Sequence, residues 1–420
     1  MTRTCGFGLA MFGLARWTRL GSAWHHVLLL ALPLALWASP AQSHDPSAWG
    51  GLFRSRDHGA TWVSANRGQI VAGAIALAIS PADVNHLLLG AESGLLRSRN
   101  GGRDWTIEAP AVVVGPVFAL AFAADGQRAL VSTGLGIFAG EAGNSWRQAS
   151  APQGATPARA IVRGGEAGRV YLAGWTGLYR SDDWGASWSS AAGGLPHETA
   201  TAVLVVHGSP ETLYAIVEGG IWASVDGART WARRGGSSAT SVDALGVDSK
   251  HPTRLWATGG DLLFRSDDVG ASWQHVGRTL PEPNTTVRGI AASEEAVVVT
   301  TDRGLYRTVD GGESWTMIVE NLPAHLEAGP LVRDPDDSAT LYAGFALVPY
   351  PELWRRAATR EGAFARVSVI SLAGGGIFLV VVALGALAAL RWLGQFYRPS
   401  ARGAPPTRSH RDQRLGKILA

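Results

Sequence analysis

The chain has 420 residues, 46% of them hydrophobic, with 53 glycines and 17 tryptophans against a single cysteine. Its net charge of +3 comes from its ends: residues 1–41 carry three arginines and no acid, and residues 391–420 carry seven basic residues against Asp412, whereas the stretch between holds 27 basic against 33 acidic residues. A mildly acidic body argues against nucleic-acid binding, and the one cysteine, Cys5, lies in the leader, so a chain from which the leader is removed has neither a disulfide nor a cysteine-ligated metal or haem.

Residues 1–43 read as a secretory signal peptide. Arg3, Arg16 and Arg19 precede a twelve-residue apolar run, Val27 to Ala38, and Ser39-Pro40-Ala41 supplies small residues for cleavage. Twelve residues fall short of the ~20 that a membrane span needs. Cleavage is therefore expected, with an uncleaved anchor as the alternative.

Residues 44–360 carry an eight-residue box, Ser-x-Asp-x-Gly-x-Ser/Thr-Trp. Full copies end at Trp62, Trp188, Trp273 and Trp315, with Asp57, Asp183, Asp268 and Asp310 at the third position. Near-copies end at Trp105, where Asn100 replaces the Asp, and at Trp231, where Asp226 is kept but Ala228 replaces the Gly. Another ends at Trp146, where Ala139 and Glu141 replace the Ser and Asp. Successive tryptophans lie 43, 41, 42, 43, 42 and 42 residues apart. A steady period of about 40–50 residues is that of a propeller blade.

Each box follows a short alternating run such as Gly177-Leu178-Tyr179-Arg180, the pattern of a half-buried strand, so the box is the turn into the next strand. Its Asp and Ser suit bonds to turn amides, and its Gly suits a positive φ. The Trp is expected to fold back onto its own blade and bury roughly 150–250 Å². Replacing Trp188 by Ala is then expected to cost about 3–5 kcal/mol.

A full unit is predicted over 74–108: an inner strand from Ala74 to Ile79, a second from His86 to Gly90, a third from Leu95 to Ser98, then the box and a fourth strand. Comparable units recur near 117, 159, 202, 243 and 287, which makes six. The ends are complementary halves. Gly51 to Trp62 supplies a third strand and box, and Leu331-Val332-Arg333 with Leu341 to Phe345 supplies a first and second strand. Together they predict a seven-bladed, four-stranded, all-β propeller closed by both termini. Leu353-Trp354-Arg355-Arg356 resembles one more third strand, the start of an eighth blade, but no box follows it.

Residues 361–392 are predicted as a linker and a transmembrane helix, its core the 24 uncharged residues 367–390. At 1.5 Å per residue that core is about 36 Å long, enough to cross a ~30 Å hydrocarbon layer. The basic tail, 393–420, is then cytoplasmic and the propeller extracytoplasmic, with the chain a single-pass protein of the inner (cytoplasmic) membrane.

The box resembles the Asp-box, or BNR, repeat of bacterial sialidases, sortilin-type receptors and photosystem II stability and assembly factors, over about residues 49 to 345. The resemblance implies the propeller fold and leaves function open among hydrolase, receptor and assembly factor. A sialidase of this family needs a Tyr nucleophile paired with a Glu, an acid/base Asp and an arginine cluster. Here Tyr179 and Tyr306 share a third-strand position, and Tyr171, Tyr214 and Tyr342 share a second-strand position, so the blade accounts for them. Arg54, Arg97, Arg180, Arg265 and Arg307 each directly precede a box, and the family's Arg-Ile-Pro motif is absent. Only Tyr350 falls outside both the repeat and the predicted membrane segment.

No His-x-x-x-His or Cys-x-x-Cys occurs, so neither a metal nor another cofactor is expected, and no catalytic residue is assigned. The expected function is a non-enzymatic protein-binding or assembly module, with a BNR-type glycoside hydrolase and a sortilin-like receptor as alternatives. Its partner is expected to be a protein or peptide. The binding surface is expected at the turns between second and third strands, where the repeats stop agreeing with one another. There Glu92, Glu218, Asp261 and Asp302 would form an acidic rim, with Arg303 and His197 alongside. Trp175 would be the anchor at its centre.

Overall fold

The computed structural model describes residues 50–359, apart from 68–70, 72, 198, 209, 236–240 and 324–325, together with 382 and 384–392. The predicted signal peptide, most of the predicted membrane segment and the basic tail lie outside the described residues. The chain divides into two compact units, residues 1–360 and 361–420. In the second, residues 384–392 are helical, with Leu384, Leu387, Leu390 and Trp392 exposed. Among the described residues, no helix is long and apolar enough to cross a membrane.

The described part of the first unit is a seven-bladed propeller in which every blade is a four-stranded antiparallel sheet. The chain enters through β1 (Gly51–Ser55) and β2 (Val63–Ser64), the outer half of one blade. Six complete blades follow, the first built from β3 (Ala74–Ser80), β4 (Asp83–Ala91), β5 (Gly94–Ser98) and β6 (Thr106–Glu108). The chain closes with β27 (Glu327–Arg333) and β28 (Leu341–Ala346). β28 pairs with β1 from Gly51 opposite Phe345 to Ser55 opposite Leu341, so both termini build the seventh blade as predicted. First strands of successive blades neighbour one another around a central channel.

The core lies between blades. One cluster joins Leu52 and Tyr342 of the closing blade to Leu77, Leu87, Leu89 and Trp105 of the next. Second strands are covered on both faces by this stacking, and β28 is buried at all six positions. Fourth strands are short, two or three residues, and mostly exposed.

The boxes are turns built on a repeated set of bonds. Ser181 Oγ donates to Asp183 Oδ1 (2.7 Å) and accepts from Gly185 N–H (2.8 Å), while Asp183 accepts from the amide and hydroxyl of Ser187 at 2.8 and 2.6 Å. Two consecutive residues take left-handed backbone, Trp184 at φ 55° and Gly185 at φ 82°. The Ala228 variant keeps the turn, at φ 64°. In the Asn100 box the chemistry is exchanged: Asn100 Nδ2 donates to Asp104 Oδ2 (2.8 Å), so the carboxylate moves to the position other boxes give to Ser or Thr. The degenerate Trp146 box is held from outside, where Glu108 Oε1 accepts from Trp146 Nε1 (2.8 Å) and Glu108 Oε2 pairs with Arg97 (2.9 Å).

Two expectations need correction. The box tryptophan does not simply fold onto its own blade. Trp105, Trp188, Trp231 and Trp315 donate their Nε1–H to Ala65, Ser150, Ala191 and Arg278 O, each in the segment that follows the outer strand of the preceding blade. Nor are all seven equally buried: Trp62, Trp105, Trp146 and Trp231 are buried, whereas Trp188, Trp273 and Trp315 are half-buried. The other correction concerns Leu353 to Arg356: the ring has seven blades, as the missing box implies, but the segment after them is neither a third strand nor a plain linker. It lies in a helix, α1 (Tyr350–Ala358).

The repeated arginines and tyrosines are structural, as their recurrence implies. The left-handed turn presents the carbonyl of the fourth box residue to the preceding blade. Arg54 Nη1 and Tyr342 OH donate to Gly101 O (2.8 and 3.2 Å), Arg180 to Gly227 O (2.8 Å), Arg307 to His58 O (2.8 Å) and Tyr214 OH to Val269 O (3.0 Å).

Candidate functional site at the channel mouth

The two faces of the ring offer different chemistry. On the box face the carboxylates are committed to their own turns. Hydrogen bonds from the hydroxyls and amides of Ser187, Ser272 and Ser314 hold Asp183, Asp268 and Asp310 down at about 2. A carboxylate so engaged is a poor proton donor or acceptor near neutral pH. Among the described residues no cluster of His, Cys, Asp and Glu has the makings of a metal site.

The opposite face surrounds the mouth of a central cavity of about 730 Å³, lined by first-strand residues such as Ile75, Phe118 and Val287 and by α1. The chain reaches this face because β28 ends there. Only Leu347, Val348 and Pro349 separate it from α1, which then lies over the mouth. Trp354 is 4% exposed and packs against Trp175 with ring centroids 4.3 Å apart. The Arg159 guanidinium sits 3.7 Å from the Trp354 ring centroid, a stacked cation–π contact. Tyr350 meets Phe118 edge to face at 6.2 Å. Burial pushes the Tyr350 hydroxyl up, with Arg159 opposing.

The residues expected to form the binding surface do share this face, but the structure changes what several of them are. Trp175 is half-buried and already engaged by Trp354, so it is not a free anchor. Glu218 is exposed and pairs with His197 Nε2 at 3.0 Å. Asp302 accepts from Thr286 N–H (3.0 Å), and Arg303 pairs with Glu282 at 3.2 Å. Asp261 is half-buried and its carbonyl accepts from Leu280 N–H. Burial pushes the Glu92 carboxyl up, against the Val348 N–H and Arg356, which draw it down. The rim is thus less acidic than the turns alone imply. The cavity wall beneath it carries Arg159, Arg288 and Arg355 against Asp243.

Sequence reasoning missed Trp354, Arg159, Phe118 and Asp243. A signal for Trp354 was present: Pro349 and Pro351 open a helix, and Glu352 stands three and four residues before Arg355 and Arg356. Glu352 pairs with Arg355 and Arg356, each at 2.9 Å. Phe118 sits in a first strand and Arg159 directly before one, where the repeat gives no sign of special use.

No family model matches the chain. A probable oligoxyloglucan-reducing end-specific xyloglucanase of Neosartorya fischeri is 26% identical over 204 residues, 41% of this chain and 21% of that protein. The chain thus spans about a fifth of the length of the curated relatives it matches. Among solved structures, YCF48 from Cyanidioschyzon merolae superposes with a TM-score of 0.50 at 14% identity, over 67% of this chain and 96% of that one. The GH74 enzyme of Niastella koreensis gives 0.52 at 16% identity, over 68% of this chain and 53% of that one. The structural matches support the propeller fold predicted from the boxes. The expectation that the chain is not an enzyme is overturned by the xyloglucanase match, because 204 residues align in sequence with a protein of that name. The chain is a seven-bladed propeller similar in fold both to YCF48 and to a GH74 enzyme.

Proposed function

We propose that the protein is an extracytoplasmic propeller, anchored in the membrane by its C-terminal segment, that binds a polypeptide at the channel mouth and helps a membrane complex assemble. The observation that carries this reading is the contrast between the two faces. The box turns repeat one bonded pattern, whereas the mouth combines turns that differ from blade to blade with a cavity of about 730 Å³ and an aromatic cluster. A surface free of the repeat's demands is where specificity accumulates.

A photo-crosslinking amino acid at Thr176, exposed beside Trp175, tests the mouth against the same residue at Ala186, exposed in a box turn. The reading expects a polypeptide adduct at Thr176 and none at Ala186. Adducts at Ala186 alone, or at neither, overturn it. For the anchor, an alkaline phosphatase fusion after Thr359 should be active and one after Gly416 inactive; activity at Gly416 refutes the orientation.

A second reading, glycan hydrolysis, is supported by the 26% identity to a xyloglucanase. Release of reducing ends from xyloglucan by the full chain would support it. No release from xyloglucan or its oligosaccharides would remove that substrate.

A further inference from the structure

α1 occupies the mouth in an unusual way. Its anchor, Trp354, lies in a slot formed by Trp175 and Arg159, with Ile75 and Phe118 in the same cluster. At its far end Ala357 lies against the turn between second and third strands at Gly134, where a Cβ added to Gly134 would stand 3.0 Å from Ala357 Cβ. The contact is apolar and aromatic, and its polar groups are poorly served. Trp354 Nε1 and Arg159 Nε are buried there without hydrogen-bond partners. Polar groups buried in a contact settled for its own sake are normally paired. Here the slot fits an aromatic ring but leaves two donors, Trp354 Nε1 and Arg159 Nε, unanswered. The tether is short, three residues from the end of β28, and Leu347 and Pro349 in it are exposed.

We propose that α1 is a built-in occupant of the partner's site: the slot receives an aromatic side chain carried by an amphipathic helix, and α1 must lift before a partner helix enters. This rests on the mouth being the binding surface. The partner helix presents an aromatic residue as α1 does, and beside it an acceptor that answers Arg159 Nε. The resting protein is thereby closed, and a partner gains entry only by binding better than a segment held at high effective concentration.

The test uses the full chain in detergent and, as probe, a fluorescein-labelled synthetic peptide of residues 347–359, followed by anisotropy. The Trp354→Ala chain should bind the peptide at least tenfold more tightly than the wild-type chain, because its own helix competes less well. A control peptide carrying Trp354→Ala should bind neither. A second variant keeps the test decisive should Trp354→Ala fail to fold. Gly134→Cys with Ala357→Cys, in a Cys5→Ser background, places two thiols where Cβ atoms are 3.0 Å apart, within a small shift of the ~3.5–4.5 Å of a disulfide. Oxidised, this chain should bind the peptide at least tenfold more weakly than when reduced.

Equal binding by wild type and Trp354→Ala, or by the oxidised and reduced chains, overturns the proposal, as does binding by none of them. The two failures are distinguishable. Crosslinks at Thr176 with equal peptide binding leave the mouth as the partner's site and remove the competition. Competition without crosslinks overturns the reading of the mouth and the proposal with it, because the slot would then serve α1 alone.

Discussion

Trp62→Ala is the sharpest test of how the boxes hold the ring. Trp62 is 1% exposed, donates to Gly59 O at 3.0 Å, and belongs to a cluster with Phe53, Leu341 and Phe345 of the closing blade and Val298 and Leu305 of its neighbour. A fully buried Trp removes roughly 150–250 Å² from water, about 4–6 kcal/mol at ~25 cal/mol/Å² before entropy. Truncations of this kind cost about 3–5 kcal/mol when the site cannot collapse. Collapse is hindered here: a Cβ added to Gly59 would already meet Val298 Cγ2 at 2.6 Å, so little slack remains on that side. Trp188 has a bond of similar kind, to Ser150 O at 3.2 Å, but is half-buried. Its truncation should cost about half as much, roughly 1.5–2.5 kcal/mol, below the sequence-based expectation. Urea unfolding of the two variants, followed by tryptophan fluorescence and circular dichroism, measures the difference. Equal destabilisation would refute the reasoning, because burial would then not set the cost.

Val269 is β-branched yet sits at φ 56° in its box turn. Val269→Asn should raise stability by about 1 kcal/mol, since Asn tolerates left-handed backbone, and an unchanged urea midpoint would count against strain at that position. Glu108→Gln should cost about 2–4 kcal/mol, because it removes the charge facing Arg97 while leaving an amide beside Trp146 Nε1 and Gly143 N–H. A loss under 1 kcal/mol in the same assay would show that the degenerate box is held by other means. The box carboxylates give an acid response of definite sign. Asp183, Asp268 and Asp310 are lowered from 3.8 to about 2, so their contribution is complete above pH 3.8 and is lost as pH falls through about 2. Asp183→Asn should therefore flatten stability against pH between about 4 and 2, and an unaltered profile would show that Asp183 does not carry the effect.

How far the molecule could be read from its residues depends on what the repeat constrains. Tryptophans spaced 41 to 43 residues apart revealed the blades, and the half-repeats at Gly51 and Leu341 revealed the closure. Both are properties of sequence order. Which side of a blade each Trp faces is a property of neighbours. The same box residue donates within its own turn at Trp62 and Trp273 but reaches the preceding blade at Trp105 and Trp231. The face shared by the turns that disagree could be read in advance, since the alternation of strands assigns each turn to a face. Its charge could not, because Glu218 and Arg303 meet partners, His197 and Glu282, that lie in the connections between blades. The largest miss was α1. Four residues, Leu353 to Arg356, fit a third strand as well as a helix, and only the prolines and the Glu352 pairs before and within them separate the two.

The closure of the seventh blade also sets a schedule. β28 must enter between β27 and β1, so Phe53, fully buried in the finished ring, lacks the cover of Leu341 and Phe345 until those residues have been made. That is 292 residues of synthesis from Phe53 to Phe345, roughly 15–60 s at ~5–20 residues per second. During that interval β1 leaves an edge open and Phe53 lacks its final partners, an arrangement prone to pair with another nascent chain. The six intermediate blades can stack as they emerge, but the ring cannot resist unravelling from its first blade until the last strand arrives. Chaperone demand and aggregation in this protein should therefore be governed by the waiting time of the hairpin from Gly51 to Ser64 more than by the stability of any blade.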